Sequence, residues 1–355
     1  MVKSIVISGV TRTGKTMVAI ALARKIQSTG KSVGYFKPVG TKSYRHHEIA
    51  EDVDEDALLM KELLHMEEPL STICPIVRTR AKYDEFLERG HSALKGLVNR
   101  SFHQIAEKYD IVLVEGTEAP WHLLHVGLST PEIAKELDSE VVSLVNFPDV
   151  SAIDDVLLQR NLFNGIERKP IGTVLMQVPP MLRSVVTEEI TSFLEHHDVR
   201  VIGVVYYSRE LFSPTIREIR DALDAEIVSG HDNIDLPIGH FMVGSMAPEN
   251  ALKWFRRAKD KAVITSGDRT DICLAALATE TRLLILTGGL GPDRATLTRA
   301  QEEGIAVIVT DKDTYTTSQL VNNLVGTVSV DNPGKLSIIE HVVGDALDFD
   351  KLNLF

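Results

Sequence analysis

From the N-terminus, short apolar and β-branched runs alternate with stretches whose apolar residues recur at helical spacing, the pattern of a parallel sheet covered by helices on both faces. The predicted strands are Ser4–Ser8, Val33–Phe36, Ile111–Val114, Val141–Val145, Ile171–Met176 and Val201–Val205. Each is short and nearly all apolar, as expected of strands buried on both faces. An apolar-striped helix is predicted over Met17–Ile26. Between Phe36 and Ile111 lies a long insert, in which the charged run Glu48–Asp56 leads into a helix over Ala57–Leu64. The first part of that insert is expected to be a mobile loop over a binding site.

After Val205 the rhythm restarts. Pro214 suits the first turn of a helix running to Leu223, and Gly230-His231-Asp232-Asn233 marks a turn. There follow a strand at Ile238–Phe241, a helix at Pro248–Arg257, a strand at Ala262–Thr265, a helix at Asp271–Ala278, a strand at Leu283–Leu286, a helix at Asp293–Glu303 and a strand at Ala306–Val309. This second, smaller α/β unit is assigned to residues 206–325, after a first domain over 1–205. Residues 326–355 form an extension expected to pack on one of the domains or to mediate assembly.

Composition narrows the classes of function. The chain has 355 residues, 44% of them hydrophobic and 25% charged, values ordinary for a soluble globular protein of two domains. A formal charge of -12 opposes non-specific attachment to nucleic acid or anionic lipid. Cys74 and Cys273 are far apart in apolar surroundings, so two buried thiols are expected rather than a disulfide or a zinc site. No leader is read at Met1-Val2-Lys3, and no segment approaches the ~20 apolar residues of a membrane helix. The cytoplasm is the expected location.

The sharpest chemical signal is Gly9-Val10-Thr11-Arg12-Thr13-Gly14-Lys15-Thr16, which matches GxxxxGK[ST], follows a predicted strand and opens a predicted helix. Glycines let backbone N–H groups turn onto phosphate oxygens, Lys15 neutralises the terminal phosphates, and Thr16 offers a hydroxyl to Mg²⁺. Gly9, Thr11, Arg12, Thr13, Gly14, Lys15, Thr16 and Met17 are therefore the candidate nucleotide-binding residues, with ATP and Mg²⁺ as the expected ligands.

Such a loop needs a carboxylate near the metal, and Ile111-Val112-Leu113-Val114 ends in Glu115 at the strand edge where ligands bind. Asp54, Glu55 and Asp56 precede a helix; capping and metal binding are both open there, and Asp56 is the choice if one of them reaches Mg²⁺. Lys37, in Phe36-Lys37-Pro38-Val39-Gly40-Thr41, leaves its strand through a proline and a glycine and is a candidate for substrate or phosphate binding. His122 and His125 would share a helical face, without the glutamate that would make the pair a zinc motif. Arg45, His46 and His47 belong to the insert.

Together, Gly9–Thr16, Phe36-Lys37-Pro38-Val39, Asp56-Ala57-Leu58 and Val114-Glu115-Gly116 resemble the ordered motifs of the dethiobiotin synthetase-like family, over roughly residues 1 to 205. The resemblance implies a P-loop fold using ATP and Mg²⁺, commonly a homodimer with its site at the subunit interface. It would give Lys15, Thr16, Asp56 and Glu115 to ATP and Mg²⁺, and Thr11, Lys37 and Thr41 to phosphates or substrate, with Lys15 and Lys37 as the catalytic candidates. The chain departs from the synthetases at Val10 and Arg12, where they carry a loop close to GTDTxxGKT. It also has Thr117-Glu118-Ala119-Pro120-Trp121 in place of a glycine-rich stretch, and Gln177 where an Asn often reads the base.

In the second domain, Ser266-Gly267-Asp268-Arg269-Thr270-Asp271 and Thr287-Gly288-Gly289 resemble the DRTGG domain, found after a dethiobiotin synthetase-like module in the N-terminal half of long phosphotransacetylases. Asp268, Arg269 and Thr270 sit at a helix start suited to an anionic ligand, or Asp268 caps that helix while Arg269 pairs with a nearby acid. Thr287, Gly288 and Gly289 are candidates for a ligand or for a close approach of chains. These resemblances imply an ATP- and Mg²⁺-binding regulatory protein, not itself an acetyltransferase, with a small ligand or protein partner at the second domain and a homodimer or higher homo-oligomer as the assembly. An ATP-dependent ligase or carboxylating cyclase acting on a small amine or carboxylate is the alternative. A structural adaptor stabilised by nucleotide is the third.

Overall fold

The structure is a computed structural model that describes residues 3–40, 53–78, 91–324, 326, 328 and 332–352. The chain divides into two compact units, Met1–Tyr207 with Val328–Phe355, and Ser208–Thr327.

The first unit is built on six parallel strands, β1 (Lys3–Ser8), β2 (Val33–Phe36), β5 (Ile111–Glu115), β6 (Glu140–Asn146), β7 (Gly172–Val178) and β8 (Val201–Tyr206), in the order β2-β5-β1-β6-β7-β8. β1 lies between β5 and β6, with Ile7 opposite Glu115 and Val142. Both faces of these strands are covered, which explains their unbroken apolar runs. Two short strands, β3 (Val39–Gly40) and β4 (Ile76–Val77), pair in parallel just past β2. The loop after β1 feeds α1 (Lys15–Ser28), whose Met17, Val18, Ile20, Leu22 and Ile26 are buried. The described residues of the insert form β3, β4, α2 (Glu55–Leu63) and the helices Leu70–Ile73 and His91–Ala106. The expected mobile segment, with Thr41, Arg45, His46 and His47, lies outside the described residues.

The region assigned as a C-terminal extension contains a helix, Pro333–Ala346, that packs on α1. Arg24 bonds Glu340 at 2.7 Å, Leu347 bridges to Gly203, and the Asp348 N–H donates to Ile202 O at 2.7 Å, so the segment extends the edge of β8.

The second unit holds a five-stranded sheet in the order β10 (His240–Val243), β11 (Lys261–Ser266), β12 (Thr281–Thr287), β13 (Ala306–Val309), β9 (Glu226–Ser229). Only β9 runs antiparallel, against β13. Alternation along the strands supplies two cores. Val263, Leu284, Leu286 and Val307 face Phe255, Ile272, Cys273 and Ala276, while Ala262, Ile264, Leu283, Ile285 and Ile308 face Ile216, Ile219, Leu223 and Val321. The helix predicted from Pro214 starts two residues later, at Ile216. Thr215 is its N-cap, forming a capping box with Glu218, and Pro214 precedes the cap. The predicted strand Ile238–Phe241 likewise lies two residues further on, as β10. Both thiols are free and buried.

Candidate functional site

The loop after β1 has the geometry its glycines require. Gly14, with φ 90°, is the N-cap of α1, and Arg12 also takes a positive φ of 64°. A Cβ at Gly9 would lie 2.5 Å from Thr13 Oγ1 and 3.0 Å from the Leu144 carbonyl, so the chain can make this turn only with glycine there. Thr13 closes the loop on itself, donating to Val10 O through its backbone N–H (3.2 Å) and its hydroxyl (2.5 Å). Met17 is buried beneath the loop, and the Arg12 carbonyl accepts from Gln177 Nε2 at 2.7 Å. Gln177 also reaches Asn146 Oδ1 at 3.1 Å, which places an asparagine beside the loop that the sequence reading had not singled out.

Lys15 is buried, and its ammonium donates to the carbonyls of Gly9 (3.1 Å) and Val10 (3.2 Å). Burial lowers its pKa, an effect only partly opposed by the negative charge of Glu115. A cation held by the loop's own carbonyls is poised to exchange them for phosphate oxygens. Thr16 Oγ1 donates to Glu115 Oε2 at 3.1 Å, joining the start of α1 to the end of β5.

Lys37 is embedded among carboxylates. Its ammonium lies 2.5 Å from Asp56 Oδ2, 3.0 Å from Asp54 Oδ1 and 3.3 Å from Glu115 Oε1, with only 5% of the side chain exposed. Burial acts to lower its pKa, but the attraction of Asp56, Glu115 and Asp54 outweighs it and raises the pKa well above the ordinary lysine range. Asp54 does double duty: its Oδ1 also caps α2, accepting from the backbone N–H groups of Asp56 and Ala57 at 3.0 Å each. Of the two readings left open for this acidic run, capping is made by Asp54, while Asp54 and Asp56 both face the Lys37 ammonium. Tyr35 went unrecognised in sequence because it sits in a run read wholly as core. Its buried hydroxyl donates to Glu115 Oε2 at 2.8 Å. Burial raises the Glu115 pKa, with Lys37 opposing.

Lys15, Thr16, Lys37, Asp56 and Glu115 therefore converge at the carboxyl edge of β1, β2 and β5. Among the described residues no group of three or more His, Cys, Asp or Glu is arranged as a metal cage. Mg²⁺ keeps several waters and needs only one or two protein oxygens besides phosphate, so a hydroxyl and a carboxylate 3.1 Å apart, at Thr16 and Glu115, fit it. Thr11 points elsewhere, donating to Glu118 O at 3.2 Å. His122 Nδ1 lies 3.3 Å from Glu118 Oε2, which gives that histidine an acidic partner in place of the metal-binding face considered with His125.

In the second unit Asp268 does not cap the following helix, Thr270–Leu277. Arg269 holds the cap position without a side-chain cap bond. The Arg269 guanidinium forks onto Asp271 at 2.9 and 3.1 Å, and Thr270 donates to Asp293 at 3.1 Å. A Cβ on Gly267 would fall 1.8 Å from Leu290 O, and Gly288 and Gly289 both have positive φ. The two glycine-containing segments are thus needed to pass close to one another within the unit. Thr287 Oγ1 bonds Thr265 O and Thr314 Oγ1, at 3.3 and 2.9 Å.

Residues 3–215 match the AAA domain family, and residues 218–324 match the DRTGG domain. The chain belongs to the AAA domain family. Its P-loop domain is dethiobiotin synthetase-like and is followed by a DRTGG domain, and its relatives are phosphate acetyltransferases, consistent with the N-terminal half of the long forms. It is 26% identical over 359 residues to phosphate acetyltransferase of Pseudomonas putida, covering 94% of this chain and 49% of that protein. The Pseudomonas aeruginosa enzyme is 24% identical, covering 96% and 50%. The chain thus spans about half the length of these curated relatives. ATP-dependent dethiobiotin synthetase of Salmonella typhimurium is 36% identical over 121 residues, 33% of this chain and 49% of that one. Among solved structures, MinD of Aquifex aeolicus is similar at TM-score 0.36 and 14% identity, covering 59% of this chain and 84% of that chain. The CBS and DRTGG domains of Clostridium perfringens pyrophosphatase, complexed with diadenosine tetraphosphate, are similar at TM-score 0.30 and 22% identity, covering 40% and 70%. No helix of the described residues is long and apolar enough to cross a membrane.

Proposed function

We propose that this chain is a cytoplasmic nucleotide-binding regulatory module, in which the P-loop unit takes ATP with Mg²⁺ and the DRTGG unit holds a second ligand or a protein partner. The observation that carries the reading is the Lys15 ammonium, buried and bound, among the described residues, to the loop carbonyls of Gly9 and Val10. Phosphate oxygens would replace those carbonyls, backbone N–H groups of the loop would surround them, and Thr16 and Glu115 would hold Mg²⁺, which supplies charge neutralisation between the phosphates.

The arrangement around Lys37 supports regulation over ligation. In a ligase Lys37 would steady an acyl or carbamoyl phosphate, but here its charge is committed to Asp54, Asp56 and Glu115. Asp268, Arg269, Thr270, Thr287, Gly288 and Gly289 belong to the second unit's part of the proposal, as a ligand or interface edge. Self-association as a homodimer completes it. The test is calorimetry with ATP, ADP and GTP plus Mg²⁺ on the wild type and on Lys15→Ala. Binding of ATP that disappears in the variant is expected; absence of any nucleotide binding sinks the proposal.

A further inference from the structure

Past the P-loop lies a group of polar side chains that the phosphate and metal assignments leave unused: Arg78, Glu118 and His122. Arg78 directly follows β4, and its backbone N–H donates to Gly40 O at 2.9 Å, so the β3–β4 pair fixes its position beyond the Lys37 exit. Its side chain is 26% exposed, yet the Nε is buried and has no hydrogen-bond partner among the described residues. The contact of its Nη1 with Glu118 Oε2 is 3.6 Å, an ion pair too long for a hydrogen bond. A guanidinium with a buried unused donor carries an unmet cost, which a second anion could remove.

Glu118 connects this arginine to the nucleotide site. Its carbonyl accepts from Thr11, in the P-loop, at 3.2 Å. Its carboxylate is close enough to Lys15 to act on that ammonium's charge, and His122 Nδ1 lies 3.3 Å from the same oxygen that faces Arg78. Among the described residues, the acid paired with Arg78 is therefore also a neighbour of the cation expected at the terminal phosphates.

We propose that Arg78 is a reader of the nucleotide's terminal phosphoryl group, held in reserve by Glu118 and recruited when a γ-phosphate offers its guanidinium a stronger acceptor. This rests on nucleotide binding at Lys15 and adds to it a basis for telling ATP from ADP. Arg78 is a specificity-determining residue here, since a planar fork matched to phosphate oxygens is what separates a triphosphate from a diphosphate in the same loop. Glu118 opposes it twice, by competing for the guanidinium and by repelling the γ-phosphate.

The experiment is titration calorimetry of the full chain with ATP and with ADP, each with Mg²⁺, for wild type, Arg78→Ala, Arg78→Lys and Glu118→Gln. Losing a charged bond to the γ-phosphate should reduce the ATP-to-ADP affinity ratio about tenfold or more in Arg78→Ala, with ADP affinity unchanged. Arg78→Lys should recover part of the ratio, and Glu118→Gln should raise it. An unchanged ratio in Arg78→Ala, with both nucleotides still bound, overturns the proposal while leaving nucleotide binding intact. Equal loss of both nucleotides in a folded variant, judged by its circular dichroism, assigns Arg78 to the loop's shape and also overturns it. If the wild type itself binds neither nucleotide, the underlying reading fails instead.

Discussion

Replacing Lys37 by Met isolates what a buried ammonium does in the first unit. Met keeps the length and apolar stem of the side chain and removes the charge, leaving Asp54, Asp56 and Glu115 without the cation they share at 2.5 to 3.3 Å. Asp54 and Glu115 have 0% and 3% of their side chains exposed, so water cannot replace it. Breaking a buried ion pair by removing one partner costs about 3–5 kcal/mol. The lower end applies, because Asp54 keeps two backbone donors and Glu115 keeps Thr16 and Tyr35. About 3 kcal/mol should therefore be lost, a fall in melting temperature of roughly 6–12 °C for a unit of this size. Urea unfolding followed by fluorescence measures it. With Trp254 in the second unit changed to Phe, Trp121 remains as a reporter of the first. The deficit should shrink as pH is lowered, since protonation removes the unpaired charge, and should shrink on adding Mg²⁺, which offers another cation. A deficit under about 1 kcal/mol at neutral pH without divalent cation would falsify the description of Lys37 as the counter-ion of this cluster.

Tyr35→Phe removes one buried hydrogen bond to Glu115 and little volume, so a loss of about 1–2 kcal/mol is expected in the same urea assay. A neutral result means the phenol does not hold that carboxylate. In the second unit Lys261 is fully buried, its ammonium donating to Ala258 O at 3.1 Å and Glu280 O at 2.9 Å. Lys261→Met should cost about 1–3 kcal/mol, the penalty of two buried carbonyls less the relief of a desolvated cation, read from Trp254 in a Trp121→Phe background. Burial pulls this lysine down to about 8, against ~10.4 in the unfolded chain. Between those values the unfolded chain binds more protons, so wild-type stability rises with pH through that window and the gap to Met should widen. A gap that stays flat from pH 8 to about 10 shows that the two carbonyls hold the ammonium charged.

The fold was legible wherever burial is two-sided. Val33–Phe36 and Ala306–Val309 are read correctly to the residue, because a strand covered on both faces has no polar position to blur its ends. β9 was missed because Glu226-Ile227-Val228-Ser229 offers two apolar residues between polar ends, each half-buried against a different core, too short an apolar run to stand out. The helix Pro333–Ala346 buries Ile339 and Val343 one turn apart, but with Gly334 and Gly344 in it that stripe is too dilute to stand out.

The site was legible in its parts and less so in its pairing. Lys15 and Thr16 follow from spelling, and Glu115 from the end of its strand, because local rules fix both. What Lys37 would face could not be read locally. The proline and glycine after it predict an ammonium turned into the site, and its partners there come from β5 and from the start of α2, 17 to 78 residues further along the chain. Asp54 shows why the acidic run resisted a single reading: one carboxylate oxygen at a helix start can accept two backbone N–H groups and still face a lysine. Arg78 gave no signal at all, since a two-residue strand has no periodicity and its place opposite Glu118 is set by the pairing of β4 with β3. A cation whose partner is set by tertiary pairing becomes visible only in three dimensions, which is why the residue proposed to distinguish ATP from ADP lies outside every motif that announces nucleotide binding.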